Sequence, residues 1–141
     1  MCQNDRHWKE APRRGVAAVE FAIVLPMLVL IIFGSIETSR VLSIHHSLRE
    51  AAMNGCRIYS LSDKTQVEAE AMVNHSLNEA GIKGYTVSFS PSAKSQITAD
   101  LQPVTVTISV MHDEVGCDLA GFFTDATFTA SVTLPAELPG S

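Results

Sequence analysis

Basic residues are scarce in the part of the chain where a nucleic acid would need them. From Val41 onward there are five, Arg49, Arg57, Lys64, Lys83 and Lys94, against eleven acids. Such a surface repels a phosphate backbone, so no nucleic-acid partner is expected. A glycine-rich phosphate loop is missing, and the many serines include no nucleophile elbow with an ordered His and Asp behind it. The five histidines contain no pair four residues apart. His45 and His46, adjacent on a helix, point about 100° apart. With His75 and His112 they lack the spacing needed to join Asp113, Glu114 or Asp118 around a metal. These absences point away from an enzyme and from any metal or cofactor.

Charge is missing in a second place. Residues 16–36 read VAAVEFAIVLPMLVLIIFGSI, 21 residues whose one charged side chain is Glu20. At helical rise this run spans about 31 Å, the thickness of a bilayer core. A buried helix of a soluble protein usually keeps a polar face, and no such face shows between Glu20 and Glu37. Arg13 and Arg14 abut the start of the run, whereas Glu37 and Arg40 balance near its end. The positive-inside bias therefore holds the N-terminus in the cytoplasm and sends the C-terminal part across the inner membrane into the periplasm. A cleavable secretory signal fits less well, because its apolar core runs about 7–15 residues and ends at a small-x-small site. Gly34-Ser35-Ile36-Glu37 is a poor site of that kind, and Met53-Asn54-Gly55-Cys56 lies too far on for lipoprotein processing.

Glu20 needs a reason, since a carboxylate at the centre of a membrane helix costs about 2.5–3.5 kcal/mol and less towards the interface. It can reach the headgroups from one turn inside. If the chain were cut after Gly15, Glu20 would become the fifth residue and Val16 would carry a new α-amine. A carboxylate four residues along can then meet the amine of a neighbouring helix and neutralise both charges in a low-dielectric setting. Pro26 removes one helical hydrogen bond, which a membrane helix tolerates. Gly34 beside Ser35 is not a small-xxx-small pair and is assigned no role.

Arg13-Arg14-Gly15 followed by Val16-Ala17-Ala18-Val19-Glu20-Phe21 resembles the processing site of the type IV prepilin superfamily. More closely, RRGVAAVEFAIVLPMLVLIIFGSIE resembles the TadE-like minor pseudopilins of tight-adherence, or Flp pilus, systems. Leu48-Arg49-Glu50-Ala51-Ala52 with Gly55-Cys56-Arg57 is similar to that family's A-A-R-x-G-A-R stretch, with Cys56 where a small residue is commoner. The likeness covers about residues 13–60. It implies that Arg13, Arg14, Gly15 and Val16 form a processing site cut after Gly15 by a prepilin peptidase, and that Glu20 and Phe21 belong to an assembly surface. The implied partners are that peptidase, other pilin or pseudopilin subunits, the inner-membrane pilus assembly machinery and membrane lipid. The competing expectation is an uncleaved, signal-anchored periplasmic domain of a binding or sensor-like kind.

The remainder reads as α+β. Residues 38–61 continue the helical spacing through Val41, Leu42, Ile44, Leu48, Ala51, Ala52 and Cys56, extending the membrane helix as a spine. A second helix is expected over 64–80, with Ser62 or Asp63 as N-cap and Gly81 as stop. Three runs then alternate: Tyr85, Val87 and Phe89; Val104, Val106, Ile108 and Val110; Phe128, Ala130, Val132 and Leu134. They predict a three-stranded antiparallel sheet, with loops over 91–102 and 112–125. The organisation expected is a basic leader, 1–15; a membrane helix, 16–36; a helical spine, 37–61; an α+β domain, 62–134; and a flexible tail, 135–141. Cys2 would leave with the leader. Cys56 and Cys117 would share an oxidising compartment, where a disulfide closing about sixty residues contributes about 4 kcal/mol in the chain-entropy account. The alternative is two separate buried thiols.

Overall fold

A computed structural model describes residues 14–111 and 127–137. The chain divides into two compact units, Met1–Ser39 and Arg40–Ser141. Helix α1, Arg14–Ser60, contributes to both and runs for 47 residues with Pro26 inside it. Residues 15–36 are exposed throughout. Beyond Arg40 the pattern changes, and Ile44, Leu48, Ala51, Ala52, Cys56 and Tyr59 are buried at three- and four-residue spacing. The apolar surface is continuous around the first part of the helix and narrows to one face in the second.

Helix α2, Gln66–Glu79, buries Ala69, Val73 and Leu77. Its N-cap is Thr65, not Ser62 or Asp63. Thr65 Oγ1 accepts from the Glu68 N–H at 3.3 Å, and Glu68 Oε2 accepts from the Thr65 N–H at 2.8 Å. This reciprocal capping box satisfies two backbone donors at once, which neither earlier residue does, because the glutamate stands three residues after Thr65. Gly81 ends the helix as expected, in the left-handed region at φ 71°.

The sheet consists of β1, Tyr85–Ser90, β2, Pro103–Met111, and β3, Thr127–Pro135, antiparallel in the order β1-β2-β3. Alternation decides its faces: Val104, Val106, Ile108, Val110, Ala130 and Val132 are buried with the helices, and the intervening residues point away. Tyr85 Oη donates to Asn74 Oδ1 at 2.8 Å and ties β1 to α2. Tyr59 packs on Phe89 with ring centroids 4.8 Å apart, and its hydroxyl donates to the Pro91 carbonyl at 2.7 Å, tying β1 to α1. The result is the α+β fold read from the sequence: a long helix with an apolar beginning, one further helix and a three-stranded antiparallel sheet.

Two details differ from expectation. The 91–102 connection contains a short 3-10 turn, Lys94–Gln96. The first residues assigned to a loose tail are held in place: Pro135 closes β3, Ala136 is fully buried, and its N–H donates to the Gln102 carbonyl at 2.9 Å. The Glu137 N–H reaches the Ser60 carbonyl, also at 2.9 Å. These backbone bonds outweigh the looseness suggested by two prolines in seven residues. The 112–125 loop and residues 138–141 lie outside the described residues.

Candidate processing and assembly segment

The residues singled out for processing fall at the beginning of α1. Arg14 is its first residue, Gly15 and Val16 follow, and Arg13 lies outside the described residues. A Cβ built on Gly15 meets nothing within 4 Å. Neither crowding nor a left-handed backbone therefore demands glycine here. Val16 is 64% exposed and Phe21 60%, and Glu20 is exposed as well. Val16 and Glu20 stand four residues apart and so share one face of the helix, with the carboxylate one turn further along.

The end of the apolar run shows how the helix manages its polar groups. Ser35 Oγ donates to the Ile31 carbonyl at 2.7 Å and Thr38 Oγ1 to the Gly34 carbonyl at 2.8 Å. Both hydroxyls are satisfied by their own helix, as a lipid environment requires. Gly34 and Thr38, one turn apart, do form a small-xxx-small pair. A Cβ on Gly34 likewise meets nothing within 4 Å.

The stretch from Leu48 to Arg57 has a different task. Ala51, Ala52 and Cys56 are fully buried. A Cβ built on Gly55 would lie 2.3 Å from Val73 Cγ2 and 3.6 Å from the Ala69 carbonyl. The small residues of α1 thus let α2 approach on one side and the sheet on the other. The Cys56 sulfur lies 3.4 Å from the Val104 carbonyl and 3.4 Å from the Val132 carbonyl, so its S–H points across β2 and β3 together. Burial pushes the Cys56 thiol above its ordinary pKa, while backbone hydrogen bonds from Leu134 and Val106 pull the other way. Cys117, the partner considered for a disulfide, lies outside the described residues.

Lys94 went unnoticed in the sequence. Its Nζ donates to the carbonyls of Leu61 and Lys64 and lies 5.8 Å from the Tyr59 ring centre. Both carbonyls belong to the turn between α1 and α2, so the lysine braces that turn. Burial lowers the Lys94 pKa, and Asp63 and Glu68 oppose that shift. A lone lysine in a Ser/Pro-rich connection carries no local signal for this contact.

One segment of α1 is long and apolar enough to cross a membrane, and among the described residues none of that window is buried. Residues 15–57 match the sequence model of a family described as TadE-like protein. Over that segment the chain is similar to the TadE-like family. The TadE-like segment takes in both the uncovered apolar helix and the small-residue stretch ending at Arg57, and it associates the chain with Tad pilus systems. None of the curated proteins and none of the solved structures matches the chain.

Proposed function

We propose that this TadE-like chain is a non-enzymatic minor pseudopilin, cut after Gly15 by a prepilin peptidase, that takes part in assembling a Flp/Tad-type pilus used in adherence. Before cutting it is a single-pass inner-membrane protein, with the leader in the cytoplasm and the unit Arg40–Ser141 in the periplasm. The observation that carries the proposal is an uncovered apolar helix whose lone carboxylate lies four residues beyond Val16. Gly15 is compatible with it: a Cβ there meets nothing within 4 Å, so nothing in the folded structure requires glycine at the proposed cut.

Cutting frees the Val16 amine, whose ordinary pKa of about 7.7–8.0 leaves it largely protonated at neutral pH. Glu20 then accepts the amine of an adjacent subunit. The pair forms where water is sparse, so leaving either member alone costs more than at a surface. Phe21 and the apolar side chains up to Ile36 supply the packing around it.

N-terminal sequencing of the membrane-extracted protein tests the proposal. In cells with an active prepilin peptidase the expected start is Val16, and Gly15→Ala restores the Met1 start without disturbing the fold. An intact Met1 start in the unaltered protein would overturn it in favour of a signal-anchored periplasmic domain.

A further inference from the structure

The face of the sheet turned away from the helices carries ten hydroxyl side chains, nine of them in a three-by-three array. Strand register sets the rows: Thr86, Ser109 and Thr129; Ser88, Thr107 and Ser131; Ser90, Thr105 and Thr133. Across β2 and β3 the hydroxyls bond to each other, Thr105 to Thr133 at 2.8 Å, Thr107 to Ser131 at 3.0 Å and Ser109 to Thr129 at 3.3 Å. Ser88 Oγ donates to the Thr107 carbonyl at 3.4 Å. The members on β1 and β3 are exposed and those on β2 half-buried. Pro103, Met111, Thr127 and Pro135 complete the outward positions of the three strands, and no charged side chain stands among all thirteen. A solvated surface is typically about 25–35% charged, which would put three or four charges on this face.

We infer that this hydroxyl face is a contact surface for a second copy of the same chain. A hydroxyl both donates and accepts, so the face complements itself, whereas a face bearing one sign of charge repels its own copy. Desolvating hydroxyls already bonded across strands costs less than desolvating charges. The array measures about 14 by 20 Å from ordinary strand spacing and rise, on the order of 300 Å² per copy. A stable free-standing complex buries about 800 Å² per partner. The contact therefore forms only between copies already concentrated by the membrane or by neighbouring subunits, as a weak second site gains from tethering. In this sense it rests on the assembly role proposed above.

The test uses the full chain in native membranes, with Cys2 and Cys117 replaced by serine and single cysteines introduced by Thr107→Cys, Ser131→Cys or, as a control on the exposed side of α2, Val67→Cys. Cys56 is fully buried and stays silent. A short bis-maleimide is expected to give covalent homodimers from the two sheet positions and background from Val67→Cys. Adding Thr129→Lys to the Ser131→Cys protein is expected to reduce its dimer to that background while thermal unfolding of the variant stays cooperative. In dilute detergent the same proteins are expected to remain uncrosslinked. Equal yields at all three positions, adducts only with other proteins, or no effect of the lysine in a folded variant would each overturn the inference. A Val16 start in these same samples keeps such a failure separate from failure of the processing reading.

Discussion

Replacing Gly55 by alanine isolates the contact that brings the two helices together. The new methyl carbon would sit 2.3 Å from Val73 Cγ2, against an ordinary carbon–carbon separation of about 3.5–4.0 Å, so the helices must part by about 1 Å or Val73 must turn. Val73 is fully buried and β-branched, with few rotamers open to it. Overpacking of this kind costs about 1–3 kcal/mol. Against that stands about 1 kcal/mol gained by removing a glycine from a helix interior. Gly55→Ala alone is thus expected to change stability by about 0 to 2 kcal/mol in the destabilising direction, a range in which two opposed effects hide each other. The double-mutant cycle separates them. Val73→Ala deletes the clashing methyl and costs about 2 kcal/mol by itself, while in the double variant the alanine methyl enters the vacated space. The coupling expected is about 1–3 kcal/mol, read from denaturant-pulsed proteolysis of the full chain in detergent. Additivity within about 0.5 kcal/mol, or Gly55→Ala stabilising by the whole propensity gain, would refute the packing account.

Glu20→Ala is expected to leave the Val16 start intact but to reduce surface pili counted by electron microscopy, whereas normal piliation would remove the role given to the carboxylate. Burial raises the Cys56 thiol above its ordinary pKa of 9.0 and the Tyr59 hydroxyl above 10.0, so the unfolded chain loses those protons first as pH rises. The stability contributed is complete below the ordinary pKa values and declines above them. Cys56→Ala is therefore expected to flatten the alkaline limb of a stability profile starting near pH 9, and an unchanged limb would count against the buried thiol. Leu101 holds a left-handed backbone at φ 58° with its side chain 68% exposed. Leu101→Gly is expected to raise stability by about 1 kcal/mol in thermal melts, since it relieves the Cβ conflict without removing a buried contact.

Much of the architecture could be read from local periodicity. The three alternating runs became β1, β2 and β3 with their apolar members inward, because a period of two assigns a face without knowledge of what covers it. The apolar run with its single carboxylate was equally legible. The N-cap at Thr65 also has a local signal, the glutamate three residues on. The placement of Ala136 and Glu137 was not legible, because the bonds that hold them come from Gln102 and Ser60, far away in the chain.

The sequence by itself determined where apolar surface is continuous, where it alternates, and where the lone Glu20 interrupts it, because these depend on spacings of a few residues. Only the tertiary structure decided which glycine is closely packed, Gly55 and not Gly15, since that depends on Val73 crossing from another helix. It also decided that the serines and threonines of three separate strands meet as one uncharged array, because register between strands arises from the shared core and not from any one strand.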